Sequence, residues 1–223
     1  MRLSELQEKW IQLYDELGGA FDSHVLAAPF VSVPEDSGVA ASARQILLLG
    51  KATDSGWDNE HFNSMKDPSL TERLEERRRF TLKHLKDIRD GNLNSSSFWR
   101  FRNSLESICS QVIWTNLAKI GFEKGNPNLS FIKIQEELAR QTLQAEMEEY
   151  KPVLVVLVTN KFAAEEIAHP VFGHRDSWEQ PDGSMWLKRA TQTEPAMLWV
   201  NHPQMKSNDE VKRWLKKAQE LIC

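Results

Sequence analysis

Ile46-Leu47-Leu48-Leu49-Gly50-Lys51-Ala52-Thr53-Asp54-Ser55-Gly56-Trp57 is an apolar run that stops in a glycine and turns polar. Its four consecutive apolar residues lack the alternation of a half-exposed strand and read as a strand buried on both faces, as in a parallel sheet. In open α/β sheets ligands bind beyond the carboxyl ends of the strands, and a glycine there lets the backbone turn or approach a ligand. Gly50 to Trp57 therefore reads as an active-site loop. The plainer alternative is that Gly50 merely ends a core strand and Lys51 to Asp54 form a solvated turn.

Further apolar runs extend the sheet. Gln111-Val112-Ile113-Trp114-Thr115-Asn116 reads as a second parallel strand with Asn116 at its carboxyl end, and Val153 to Asn160 is the clearest buried strand. Met185 to Lys188 and Met197 to Asn201 are later strand candidates, the last running into His202-Pro203-Gln204.

Helical spacing fills the intervals. Leu6, Trp10, Leu13, Tyr14 and Leu17 follow a Ser4/Gln7 capping box and end at Gly18-Gly19, whereas residues 20–42 read as irregular. Ser69 and Glu72 cap a charged helix reaching about Asp90. Its Arg73, Arg77, Arg78 and Arg79 alternate with acidic residues and predict a solvated face rather than a phosphate-binding one. Helices are also expected behind Ser97, from Ser130 to Tyr150, over Phe162 to Ala168 and behind Ser207/Glu210. Leu117 to Asn128 and His169 to Pro181 read as loops.

The 223 residues suit a single domain, 1–223, with residues 1–43 as a helical and irregular lead-in. Lys+Arg of 28 against Asp+Glu of 32 gives a net charge of −4, which argues against a surface coated in cations for non-specific nucleic-acid binding but allows a local basic groove. No leader and no membrane-spanning run are visible, so the expectation is a soluble, cytoplasmic protein without a membrane partner. Cys109 and Cys223 read as free thiols. His61, His169 and His174 have no His-x-x-x-His or Cys-x-x-Cys companion, and no P-loop, dinucleotide fingerprint or nucleophile elbow occurs, so neither a metal nor a cofactor is expected.

A glycine turn after one strand, an asparagine on the next and a late histidine-proline pair occur here in an order that resembles the uracil-DNA glycosylase superfamily, over roughly Gln45 to Leu221. Gly50-Lys51-Ala52-Thr53-Asp54 loosely matches the family's Gly-Gln-Asp-Pro-Tyr or Gly-Glu-Ala-Pro-Gly motif. Asn116 matches its base-reading asparagine, and His202-Pro203-Gln204 its His-Pro-Ser motif. The resemblance implies a three-layer α/β/α sandwich around a mostly parallel sheet of about four strands, with a base pocket across the strand ends. It implies DNA or a nucleobase as partner and hydrolysis of a base-sugar bond as the activity.

Cleavage of a glycosidic bond builds positive charge on the sugar and negative charge on the base, so such a site must stabilise both. His202 suits the leaving base and Asn116 the base edge, with Gly50, Lys51, Ala52, Thr53 and Trp57 as further pocket residues. Ala52 stands where the family's motif carries a carboxylate, which leaves Asp54 as the candidate to position water, and the Lys51 cation opposes the field that an oxocarbenium requires. Gln204 and Met205 are expected at the DNA, Met205 as a wedge. Trp57 and Phe62 could stack on a base or belong to the core. Structural alternatives also stand for Asn116, which could cap a turn, and for His202, which could pack beside Pro203. A binding domain that has lost catalysis is the alternative function.

Overall fold

The computed structural model describes residues 1–32, 44–52, 62, 64–65, 68–93, 96–109, 111–204 and 206–222. Asp54, Thr53, Trp57 and Met205 lie outside the described residues.

Helix α1 (Leu3–Glu16) is followed by short strands β1 (Ala20–Phe21) and β2 (His24–Ala27), then by β3 (Gln45–Ala52), α2 (Leu70–Arg89), α3 (Ser97–Glu106) and β4 (Gln111–Ala118). Next come β5 (Gly121–Phe122), α4 (Leu129–Tyr150), β6 (Leu154–Leu157), a π-helical turn (Ala164–Ala168), α5 (His169–Phe172) and a 3₁₀ turn (Arg175–Ser177). Strands β7 (Glu179–Asp182), β8 (Met185–Lys188) and β9 (Ala196–Val200) and helix α6 (Asn208–Ile222) complete the chain.

The central sheet has six strands in the order β4-β3-β6-β9-β8-β7. The first four are mutually parallel and the last two antiparallel. The four parallel strands coincide with the continuous apolar runs of the sequence. Along β3 the residues alternate between two cores. Leu47 and Leu49 join the face covered by α1, α4 and the π-helical turn, whereas Ile46 and Leu48 join the face covered by α3 and α6. Burial on both faces is why these strands carry no polar alternation. The result is an α/β sandwich with a mixed six-stranded sheet between helical layers.

Several expectations change in detail. The first helix is capped two residues earlier, by Arg2 with Glu5, in place of Ser4 with Gln7. The lead-in contains β1 and β2, which pair with each other, and β2 pairs in turn with β5, in a small antiparallel sheet inside segments read as irregular. The segment expected as a loop from His169 to Pro181 holds α5, the 3₁₀ turn and edge strand β7, whose Pro181 is tolerated because an edge position needs no further ladder donor. Ser69 and Glu72 do form the reciprocal capping box of α2.

The charged face of α2 is not fully solvated: Arg73, Glu76 and Arg77 are buried. Arg73 pairs with Asp15 of α1 at 3.0 Å, donates to the Phe62 carbonyl and lies 4.2 Å from the Phe62 ring centre. A guanidinium is weakly hydrated and stacks on aromatic faces, so a charged helix can bury arginines that lysines would hold in water. Phe62 is thereby a core residue, edge-on to Tyr14 at 5.3 Å.

Candidate functional site

The chain order of the parallel strands reverses beside β3: β4 follows β3 on one side, and β6 and β9 lie on the other. The crevice beyond the carboxyl ends of strands at such a reversal is the usual ligand position in an open α/β sheet. A cavity of about 450 Å³ occupies this end, lined by Lys51 from β3, Asn160 after β6, and Asn201, His202, Gln204 and Lys206 after β9.

Asn160 organises the wall. Its φ of 54° places it in the left-handed region, which asparagine tolerates better than most residues, and turns the chain at the end of the β6 segment. The side-chain Oδ1 accepts the His202 backbone N–H at 2.7 Å. Its carbonyl oxygen accepts Trp199 Nε1–H at 2.8 Å and Arg175 Nη1–H at 3.3 Å. These bonds fix the chain leaving β9, and with it the position of His202.

His202 Nδ1 accepts the Gln204 backbone N–H at 3.3 Å, which assigns the ring proton of the neutral imidazole to Nε2. Burial, assisted by the Lys51 charge, pushes the His202 pKa down to about 4, so the ring is neutral at pH 7. A neutral imidazole with a fixed Nε2–H donates one hydrogen bond and carries no charge. Phe98 of α3 lies nearly parallel to the ring at 6.3 Å. Burial also lowers the Lys51 pKa, while Lys206 pairs with Glu210 at 3.3 Å. Among the described lining residues two are cationic and none is a carboxylate, so the wall presents N–H donors and positive charge to a ligand rich in acceptor oxygens or nitrogens.

Gly50 and Asn116 sit one strand pair inward. They are register partners, and a Cβ on Gly50 would overlap the Asn116 amide oxygen and lie 3.4 Å from Trp114 Nε1. Gly50 therefore leaves room for a buried amide. It does not turn the backbone, because β3 continues to Ala52. Asn116 likewise does not end its strand, since β4 runs on to Ala118. Its side chain is buried, and its Nδ2 has no hydrogen-bond partner among the described residues. Trp114, on the same face of β4, packs on Phe98, which also packs on His202. Asn116 and His202 thus share the face that carries α3. Gly50→Ala is expected to displace the Asn116 amide and destabilise the fold by about 1–3 kcal/mol, measured by urea unfolding.

The structure thus brings Lys51, His202 and Gln204 together in one wall and sets Gly50 with Asn116 beneath β3's end, while Ala52 lies partly buried against the opposite core. Asn160, Asn201 and Lys206 are the wall residues that the motif comparison passed over. The signal for the asparagines was present, because each follows a run of buried β-residues. No protein-family model matches the chain, and no curated protein matches it in sequence.

Proposed function

We propose that the chain is a uracil-DNA glycosylase-like domain that binds a nucleobase of DNA at the switch-point cavity and hydrolyses its base-sugar bond. The observation that carries this reading is the neutral His202, held by Asn160 with its Nε2–H available for a base oxygen that gains negative charge as the bond breaks. Asn201 and Asn160 supply further amide groups for a base edge, Lys51 and Lys206 supply cationic contacts for phosphate, and exposed Gln204 stands on the rim. Asn116 reads the base in this scheme, its unpartnered Nδ2 being the donor it would offer. Asp54 is assigned the water, with Met205 at the DNA.

The reading is tested with fluorescent single- and double-stranded oligonucleotides carrying uracil, hypoxanthine or other altered bases, followed by alkaline cleavage at abasic sites. Strand scission at one altered base is the expected result, and no scission across the panel removes the hydrolase assignment. A second reading, a base-binding domain without catalysis, is favoured by Ala52 at the carboxylate position and by the Lys51 cation close to His202. Retained binding to the same oligonucleotides without scission selects it.

A further inference from the structure

A second cluster of chemistry-bearing side chains lies outside the cavity. Glu165 stands on the π-helical turn and His169 four residues on, at the start of α5, so that both side chains project from one side of the helix. Gly173, with φ of 85°, then ends α5 and reverses the chain, its N–H donating to the His169 carbonyl at 2.8 Å. The reversal carries His174 back until its ring centre lies 4.4 Å from that of His169. One ligand atom from each of Glu165, His169 and His174 falls within 4.8 Å of the other two.

His169 is the informative member. It is buried, yet neither ring nitrogen has a hydrogen-bond partner among the described residues. Glu165 Oε1 approaches Nδ1 at 3.3 Å without the geometry of a hydrogen bond. A buried imidazole with both nitrogens unsatisfied is costly, and a bound cation would satisfy one of them. The 3.3 Å separation also matches the edge of a tetrahedron whose metal-ligand bonds are about 2.0–2.1 Å. The exposed Glu165 and His174 side chains can rotate to close the remaining distance, whereas His169 is fixed by packing against Trp199.

We propose that Glu165, His169 and His174 bind one divalent first-row transition-metal ion of the zinc type. Two imidazoles and one carboxylate suit such an ion, whereas calcium and magnesium take oxygen ligands. Three protein ligands leave the fourth tetrahedral position to water. The ion ties the π-helical turn to the loop beyond Gly173, which continues directly into Arg175 and its bond to the Asn160 carbonyl. None of the three ligands lines the cavity, so this site stands or falls separately from the base-binding assignment.

The full chain, stripped with chelator and dialysed, is titrated calorimetrically with zinc chloride, and its visible absorption is recorded with cobalt(II). The expected result is one ion per chain, a cobalt spectrum of tetrahedral type and a melting temperature that rises with zinc. Glu165→Gln and His174→Ala alter exposed side chains and should keep the circular dichroism of the wild type. Each should weaken zinc binding by about 100-fold or more, exceeding the loss typical of an outer-shell change. His169→Ala should abolish the cobalt spectrum. Failure of the wild type to bind zinc stoichiometrically overturns the proposal, and so does wild-type affinity retained in both Glu165→Gln and His174→Ala.

Discussion

Lys119→Ala is expected to destabilise the fold by about 3–5 kcal/mol, the range for removing one partner of a buried ion pair. Lys119 lies beyond Ala118, the last residue of β4, with its side chain fully enclosed, and Nζ donates to both carboxylate oxygens of Glu146 at 2.8 and 2.9 Å and to Thr115 Oγ1 at 2.5 Å. Thr115 Oγ1–H donates in turn to Glu146 Oε1 at 2.7 Å, so the carboxylate is held from two directions. Burial pushes the Lys119 pKa down and the Glu146 charge opposes that shift, so the ammonium depends on its partner. Truncation to alanine strands the carboxylate in an apolar layer between α4 and the sheet. The double substitution Lys119→Met with Glu146→Leu removes both charges and should recover most of the loss, since well-packed apolar replacements of buried pairs are often neutral or better. Chemical denaturation of Lys119→Met, Glu146→Leu and the double variant measures the coupling. Additive losses would show that the pair acts only through packing volume.

How much of this structure was legible follows from which forces leave a local trace. The runs Ile46–Leu49 and Leu154–Leu157 are buried on both faces, a condition that local sequence records directly, and they lie in adjacent parallel strands. The hairpin edge at β7 left no such trace, because Glu179, Gln180 and Pro181 are exposed and read as loop. Strands β1 and β5 have two residues each, too few to show an alternation, and β5 is defined by its pairing with β2, distant in sequence. The buried arginines of α2 were illegible for a related reason: the Arg73 partner Asp15 lies on another helix, so neighbouring acidic residues suggested local pairing that the tertiary fold replaces.

The site divides in the same way. Lys51, His202 and Gln204 were accessible to reasoning because strand ends at a chain reversal collect functional groups, whatever the flanking motif. The role of Gly50 was not, since it depends on Asn116 from the neighbouring strand and on Trp114 beside it. Asn160 carries the wall through a left-handed backbone and a bond to a residue 42 positions away, neither of which is visible as a motif. The Glu165, His169 and His174 cluster combines a carboxylate with histidines across the Gly173 turn. A search restricted to paired histidines or cysteines passes over it.

Neutrality of His202 gives the pocket reading its sharpest test. A solvated histidine titrates near 6.5, whereas His202 is pushed down to about 4, so base cleavage should stay level from pH 8 to about pH 5 with no inflection near 6.5. Stability moves in the same pH window. His202 and buried His84 both have pKa values pushed down to about 4, so the unfolded chain takes up protons below pH 6.5 that the folded chain refuses. Their contribution is complete above pH 6.5 and is lost progressively as the pH falls towards 4. Rates must therefore be taken on protein shown by circular dichroism to be folded at each pH. At pH 7, His202→Ala removes the Nε2–H donor proposed for the departing base and should slow single-turnover scission by about 10²–10³-fold, the cost of one oxyanion donor. His202→Gln, which restores an N–H but not the imidazole geometry, should recover part of that loss. A wild-type inflection at pH 6.5, or a His202→Ala variant within a few-fold of wild type, would transfer leaving-group stabilisation to Lys51 or Asn201 and leave His202 as a packing residue against Phe98.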